Sequence, residues 1–201
     1  MSMTRFLLAP VVALALAAAP AMAEKLSLNA ISTYLNGLQT AKAPFTQVND
    51  DGTIATGTIY IRRPGRVRFE YDPPEKSLVM AGGGQVAIFD GKSKQPPEQY
   101  PLKRTPLNLI LERNVDLSKR SMVVGHTSDA TTTTVVAQDP ENPDYGTIQL
   151  VFTGNPVELR QWVITDGTGA QTTVILGQLA KGGELSTTLF NITYEMGLRG
   201  L

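Results

Sequence analysis

Residues 57–71 read Gly57-Thr58-Ile59-Tyr60-Ile61-Arg62-Arg63-Pro64-Gly65-Arg66-Val67-Arg68-Phe69-Glu70-Tyr71, two alternating runs on either side of a proline-glycine turn. In the first run Ile59, Ile61 and Arg63 share one parity, and Thr58 and Tyr60 share the other. In the second, Val67, Phe69 and Tyr71 lie on one side and Arg66, Arg68 and Glu70 on the other. Successive side chains of an extended strand point to opposite faces, so this stretch predicts antiparallel strands with one apolar and one wet face. Arg62, Arg66 and Arg68 are expected on the wet face. Arg63 points with the isoleucines, which is costly unless its five donors find acceptors or the side chain snorkels from the strand end.

The same period extends outward. Phe45 to Val48, the turn Asp50-Asp51-Gly52 and Thr53 to Arg62 predict a hairpin, and so do Leu78 to Ala81, Gly82-Gly83-Gly84 and Val86 to Phe89. The triple glycine is followed by a strand and not by the Gly-Lys-Ser/Thr and helix of a nucleotide loop. Upstream, Leu28, Ile31, Leu35 and Leu38 form one apolar stripe of a helix within Leu26 to Ala41, with Ser27 as N-cap and Pro44 as the stop. Pro106 to Leu111 reads as a second, short helix opened by proline. From Met122 onward strands are expected at Met122 to Thr127, Thr131 to Ala137, Thr147 to Thr153, Val157 to Thr165, Gln171 to Leu176 and Thr187 to Tyr194, with a long loop over residues 139–144. The sum is mainly β: about ten or eleven antiparallel strands in meander order, with two or three short helices. A sheet of that size curls, and helices covering its concave face would leave either a solid core or a hydrophobic cavity.

Composition narrows the chemistry. With no cysteine among 201 residues, disulfides, thiol catalysis and Cys zinc sites are excluded. Eighteen basic residues balance eighteen acidic ones, so no electrostatic footprint for nucleic acid exists. Arg5, the apolar run Phe6 to Ala19 and Ala21-Met22-Ala23 make residues 1–23 a cleavable secretory signal peptide, leaving 24–201 as one exported domain. The best candidate base for an enzyme is the single histidine, His126, beside Ser128 and Asp129, and the carboxylates Glu70 and Asp72, which share a strand face, read as wet-side residues. Neighbours in a strand alternate faces, and no nucleophile elbow surrounds any serine, so a hydrolase is disfavoured. Asp50-Asp51 and 139–144 lack calcium-loop spacing.

Phe45-Thr46-Gln47, then Gly57 to Gly65 running into Arg68-Phe69-Glu70-Tyr71, then Thr105-Pro106-Leu107-Asn108-Leu109-Ile110-Leu111, resembles the periplasmic outer-membrane lipoprotein carrier family LolA, in order and spacing and with the same leading helix. The resemblance implies an unclosed (half) β-barrel under a helical lid, without cofactor or catalytic residues. Its cavity would take the acyl chains of lipoproteins delivered by an inner-membrane lipoprotein-releasing ABC transporter. The cargo would pass to an outer-membrane lipoprotein receptor or to the outer membrane directly, with the carrier a monomer in the periplasm. It gives Arg63 the role of locking the lid. The residues expected to line the acyl-chain cavity are Leu35, Phe45, Ile59, Ile61, Val67, Phe69, Tyr71, Leu78, Met80, Ile88, Leu107, Ile110, Leu111, Trp162 and Ile164. Tyr60 and Ile88 stand where relatives often carry tryptophan, and the end of the chain from Phe190 lacks the family's proline-glycine tail. A carrier of another lipid, fatty acyl or glycolipid, is the alternative reading.

Overall fold

A computed structural model of the chain describes residues 24–118 and 121–201; the expected signal peptide lies outside the described residues. They form one open antiparallel sheet of twelve strands with three α-helices. Helix α1 (Leu28–Gly37) leads into β1 (Thr40–Val48), β2 (Ile54–Arg62), β3 (Val67–Tyr71), β4 (Leu78–Gly82), β5 (Gln85–Phe89) and β6 (Glu98–Pro101). A 3-10 turn at Leu102–Arg104 and the short α2 (Asn108–Leu111) follow. Then come β7 (Val123–Ser128), β8 (Thr132–Gln138), β9 (Thr147–Thr153), β10 (Glu158–Thr165), β11 (Gln171–Leu176), β12 (Ala180–Lys181) and α3 (Ile192–Arg199).

The sheet is not a single meander. Two meanders, β1 to β6 and β7 to β11, join where β1 pairs with β11, so the first strand lies in the middle and β6 and β7 are the outer strands. The chain between β6 and β7 carries α2. Strand β1 pairs with β2 along its whole length and on its other side with β12 at Ala41–Lys42 and β11 at Phe45–Val48. Pro44 sits at that change of neighbour. Having no N–H it donates nothing, and its carbonyl accepts from Gly177 N at 2.9 Å. Pro44 therefore lies inside a strand that begins at Thr40, and α1 ends four residues earlier than its apolar pattern predicts.

The concave face holds the main core. Ile31 and Leu35 of α1 are buried against Phe45, Ile59, Ile61, Phe152 and Trp162, and Ser27 caps the helix by accepting from Ala30 N at 3.1 Å. A second, smaller cluster lies on the convex face, where Leu78, Met80, Ala87 and Phe89 pack beneath Ile192, Met196 and Leu201. The expected strand at 187–194 is instead a 3-10 turn, Thr187–Phe190, leading into α3. Its β-branched residues suggest a strand, but Ser186 caps Thr188 N and Asn191 caps Tyr194 N, and Gly200 closes the helix at φ 69°. Gly82 permits the approach, since a Cβ there would stand 1.9 Å from the Phe190 carbonyl oxygen.

Candidate functional site

A pocket of about 560 Å³ opens on the concave face between β3–β6 and β10–β11. Its apolar wall is built by Phe69, Tyr71, Val79, Val86, Leu107, Trp162, Ile164 and Val174. A ladder of edge-to-face rings stiffens that wall: Phe45 meets Phe69 at 5.4 Å and Tyr71 at 5.2 Å, and Phe69 meets Trp162 at 6.2 Å. The Tyr71 hydroxyl donates to Gln47 Oε1 at 2.6 Å, and burial pushes its pKa up to about 12 despite that bond. Tyr71 thus presents a neutral surface to the pocket. The Trp162 indole N–H is buried without a partner in the same wall.

Of the residues expected to line a cavity, Phe69, Tyr71, Leu107, Trp162 and Ile164 do so. Ile88 lines a smaller hollow of about 330 Å³ that shares Gln47, Tyr71 and Val79 with the first. Leu35, Phe45, Ile59, Ile61, Val67, Ile110 and Leu111 are buried in the solid part of the same core. Leu78 and Met80 are a correction: they point to the convex face under α3, while Val79 and Val86 take the concave positions. The run Leu78-Val79-Met80-Ala81 is apolar on both parities, so period alone does not choose between its faces.

Arg63 is buried at 6% exposure on the concave side. Its Nη2 donates to the carbonyl oxygen of Glu112, just past α2, and lies 3.4 Å from Asn36 Oδ1. Nε and Nη1 are buried with no partner, and burial lowers the pKa of the guanidinium. The covering segment is held further by Gly65 N to Leu111 O at 2.9 Å. Asn36 of α1 grips it in both directions, donating to Val115 O at 2.8 Å and accepting from Val115 N at 2.9 Å, and Ser32 Oγ accepts from Leu117 N at 3.0 Å. Sequence reasoning misses Asn36 and Ser32, because nothing in a helix distinguishes a polar residue that clamps a distant loop from one that faces water.

On the other face, Arg68 corrects the expectation of a solvated position, being only 8% exposed beneath α3. Its Nη1 meets Glu195 Oε2 at 3.0 Å and Leu189 O at 3.1 Å, and its Nε meets Glu70 Oε1 at 2.6 Å. Arg199 Nε adds 2.8 Å to Glu195 Oε1 and lays its guanidinium 4.9 Å from the Phe89 ring centre. Burial raises the Glu195 pKa, but its bonds from Arg199 and Arg68 outweigh that and leave it below the usual carboxylate value.

His126 is half-buried and its Nε2 lies 2.9 Å from the Leu26 carbonyl oxygen, so it fastens the N-terminal segment to β7. Asp129 is engaged in its own turn, where bonds from Thr131 and Thr132 pull its pKa down to about 2. Among the described residues no group of three or more His, Cys, Asp or Glu is placed to hold a metal. Among them no helix is long and apolar enough to cross a membrane.

These features define an open-sheet protein with a lidded apolar pocket. Residues 36–193 match the family model described as outer membrane lipoprotein carrier protein LolA, and the chain belongs to that family. It is similar to an outer-membrane lipoprotein carrier protein of Nitrosomonas europaea, 27% identical over 98% of each chain. A second, from Coxiella burnetii, is 25% identical over 84% of this chain and 83% of its own. A solved LolA-superfamily structure from Nitrosomonas europaea covers 84% of this chain and 99% of its own, with 8% identity and a TM-score of 0.45.

Proposed function

We propose that this protein is an exported, non-enzymatic periplasmic carrier that shelters the acyl chains of lipoproteins and ferries them from an inner-membrane releasing transporter to the outer membrane, directly or through a receptor. The observation that carries the reading is an apolar pocket beneath a lid whose buried anchor, Arg63, is only partly satisfied. A sixteen-carbon chain gains ~12 kcal/mol on leaving water, at about 0.8 per methylene, so several chains together would exceed the practical affinity ceiling of about 20 kcal/mol. Release then requires that the empty state be favoured by contacts the loaded state lacks. The bond from Arg63 to the Glu112 carbonyl and the Gly65–Leu111 bond are such contacts, and breaking them on loading offsets part of the binding energy. The test is lipoprotein release from spheroplasts: a soluble one-to-one complex with the triacylated cargo supports the reading, and cargo left on the inner membrane in the presence of folded protein contradicts it.

A further inference from the structure

Helix α1 carries two stripes. Ile31 and Leu35 bury against the sheet and fix the helix there, while Ser32 and Asn36, one turn apart on the adjoining face, meet the covering segment. Ser32 Oγ donates to Leu28 O at 2.7 Å and accepts from Leu117 N at 3.0 Å. Asn36 donates to Val115 O at 2.8 Å and accepts from Val115 N at 2.9 Å, so its carboxamide stands in for one rung of a strand ladder, against a residue that is itself buried. The segment needs such anchors, since α2 is a single turn of helix and one turn is not stable on its own. Helix α1 gives it three hydrogen bonds and the Arg63 side chain gives it one. The two Arg63 nitrogens buried without a partner set a desolvation cost against that one bond. The closed lid is therefore held more by α1 than by Arg63.

We infer that Asn36, with Ser32, is the positioning residue that keeps the lid closed, and that it acts on lipid affinity with the opposite sign to a residue that touches the ligand. This rests on the reading of the pocket as an acyl-chain site and moves most of its lock from Arg63 to α1. A ligand that must open the lid binds with its intrinsic affinity scaled down by the fraction of molecules already open, so a weaker clamp means tighter binding. Damage to the fold has the reverse effect. Binding of a fluorescent palmitate analogue to the purified protein, and its transfer to phosphatidylethanolamine vesicles, test the inference. Asn36→Ala is expected to bind about tenfold more tightly than the parent and Ser32→Ala about threefold, the scale of one to two net hydrogen bonds, and both should pass the ligand to vesicles more slowly. A folded Asn36→Ala that binds as the parent does, or more weakly, would make the clamp a fixed part of the structure; it would overturn the inference and leave the acyl carrier standing. If Asn36→Ala does not fold, Ser32→Ala decides by the same sign. A parent protein that binds neither the fatty acid nor a lipoprotein anchor would overturn both.

Discussion

Arg63 and Arg68 stand five positions apart in sequence, on opposite faces of the same sheet, and each fastens a covering segment. Arg68 is paired by two carboxylates and a carbonyl, and α3 above it fills the space over Leu78, Met80, Ala87 and Phe89. Arg63 has one short bond to a carbonyl and one long contact to Asn36, with two nitrogens unpartnered, and the cover it holds lies beside a pocket. A buried cation with its partners complete resists displacement, whereas one that is under-satisfied gives up a single good bond when its cover moves. The proposed carrier cycle thus gives the same residue type two roles, a lasting fastening on one side and a releasable one on the other.

The sharpest way to break this contrast is at Glu195. Glu195→Leu leaves Arg68 buried without its partner on α3 and is expected to cost about 3 kcal/mol in urea unfolding, while Arg68→Met with Glu195→Leu recovers most of it. A loss under half that size would mean that the convex fastening is no firmer than the lid. Next comes parity in β4. Met80→Ala removes a fully buried side chain and is expected to cost about 2–4 kcal/mol, whereas Val79→Ala borders the pocket and should cost about 1 kcal/mol while weakening lipid binding. Equal costs would erase the distinction between packed and hollow faces.

Smaller effects sharpen it. Glu195 has a lowered folded-state pKa, so the unfolded chain binds the proton more readily. Its contribution is complete above the ordinary carboxylate range and is lost as pH falls through the depressed folded value. The acid limb of a stability profile should therefore be shallower in Glu195→Gln than in the parent. Arg63→Leu should change stability by less than about 1 kcal/mol, because it removes a poorly satisfied buried charge together with one bond. It should load lipid but transfer it to acceptor membranes more slowly, since the lid contacts that favour the empty state are gone. Parental transfer rates would remove Arg63 from the account.

The sheet was legible where alternation is strict. Residues 57–71 gave both strands and the concave set Ile59, Ile61, Phe69 and Tyr71, and the parity of Arg63 was visible there too. What escaped was set by distant partners. Leu78 and Met80 are apolar beside apolar neighbours, so the choice of face was made by α3, more than a hundred residues later. Arg68 reads as a wet residue until Glu195 arrives above it. The 3-10 turn and the helix were hidden by their threonines and isoleucine, with their caps, Ser186 and Asn191, outweighing β propensity. Joining β1 to β11 is likewise a long-range pairing that no local period contains.

Hydrogen exchange on the protein before and after loading with lipoprotein compares the two fastenings in one experiment. The amides of Gly65, Val115 and Leu117, bonded across the lid, are expected to lose protection on loading while that of Glu195 in α3 keeps its own. Lid amides that stay protected in the loaded protein, or a Glu195 amide that opens together with them, would contradict a sheet with one releasable face and one fixed.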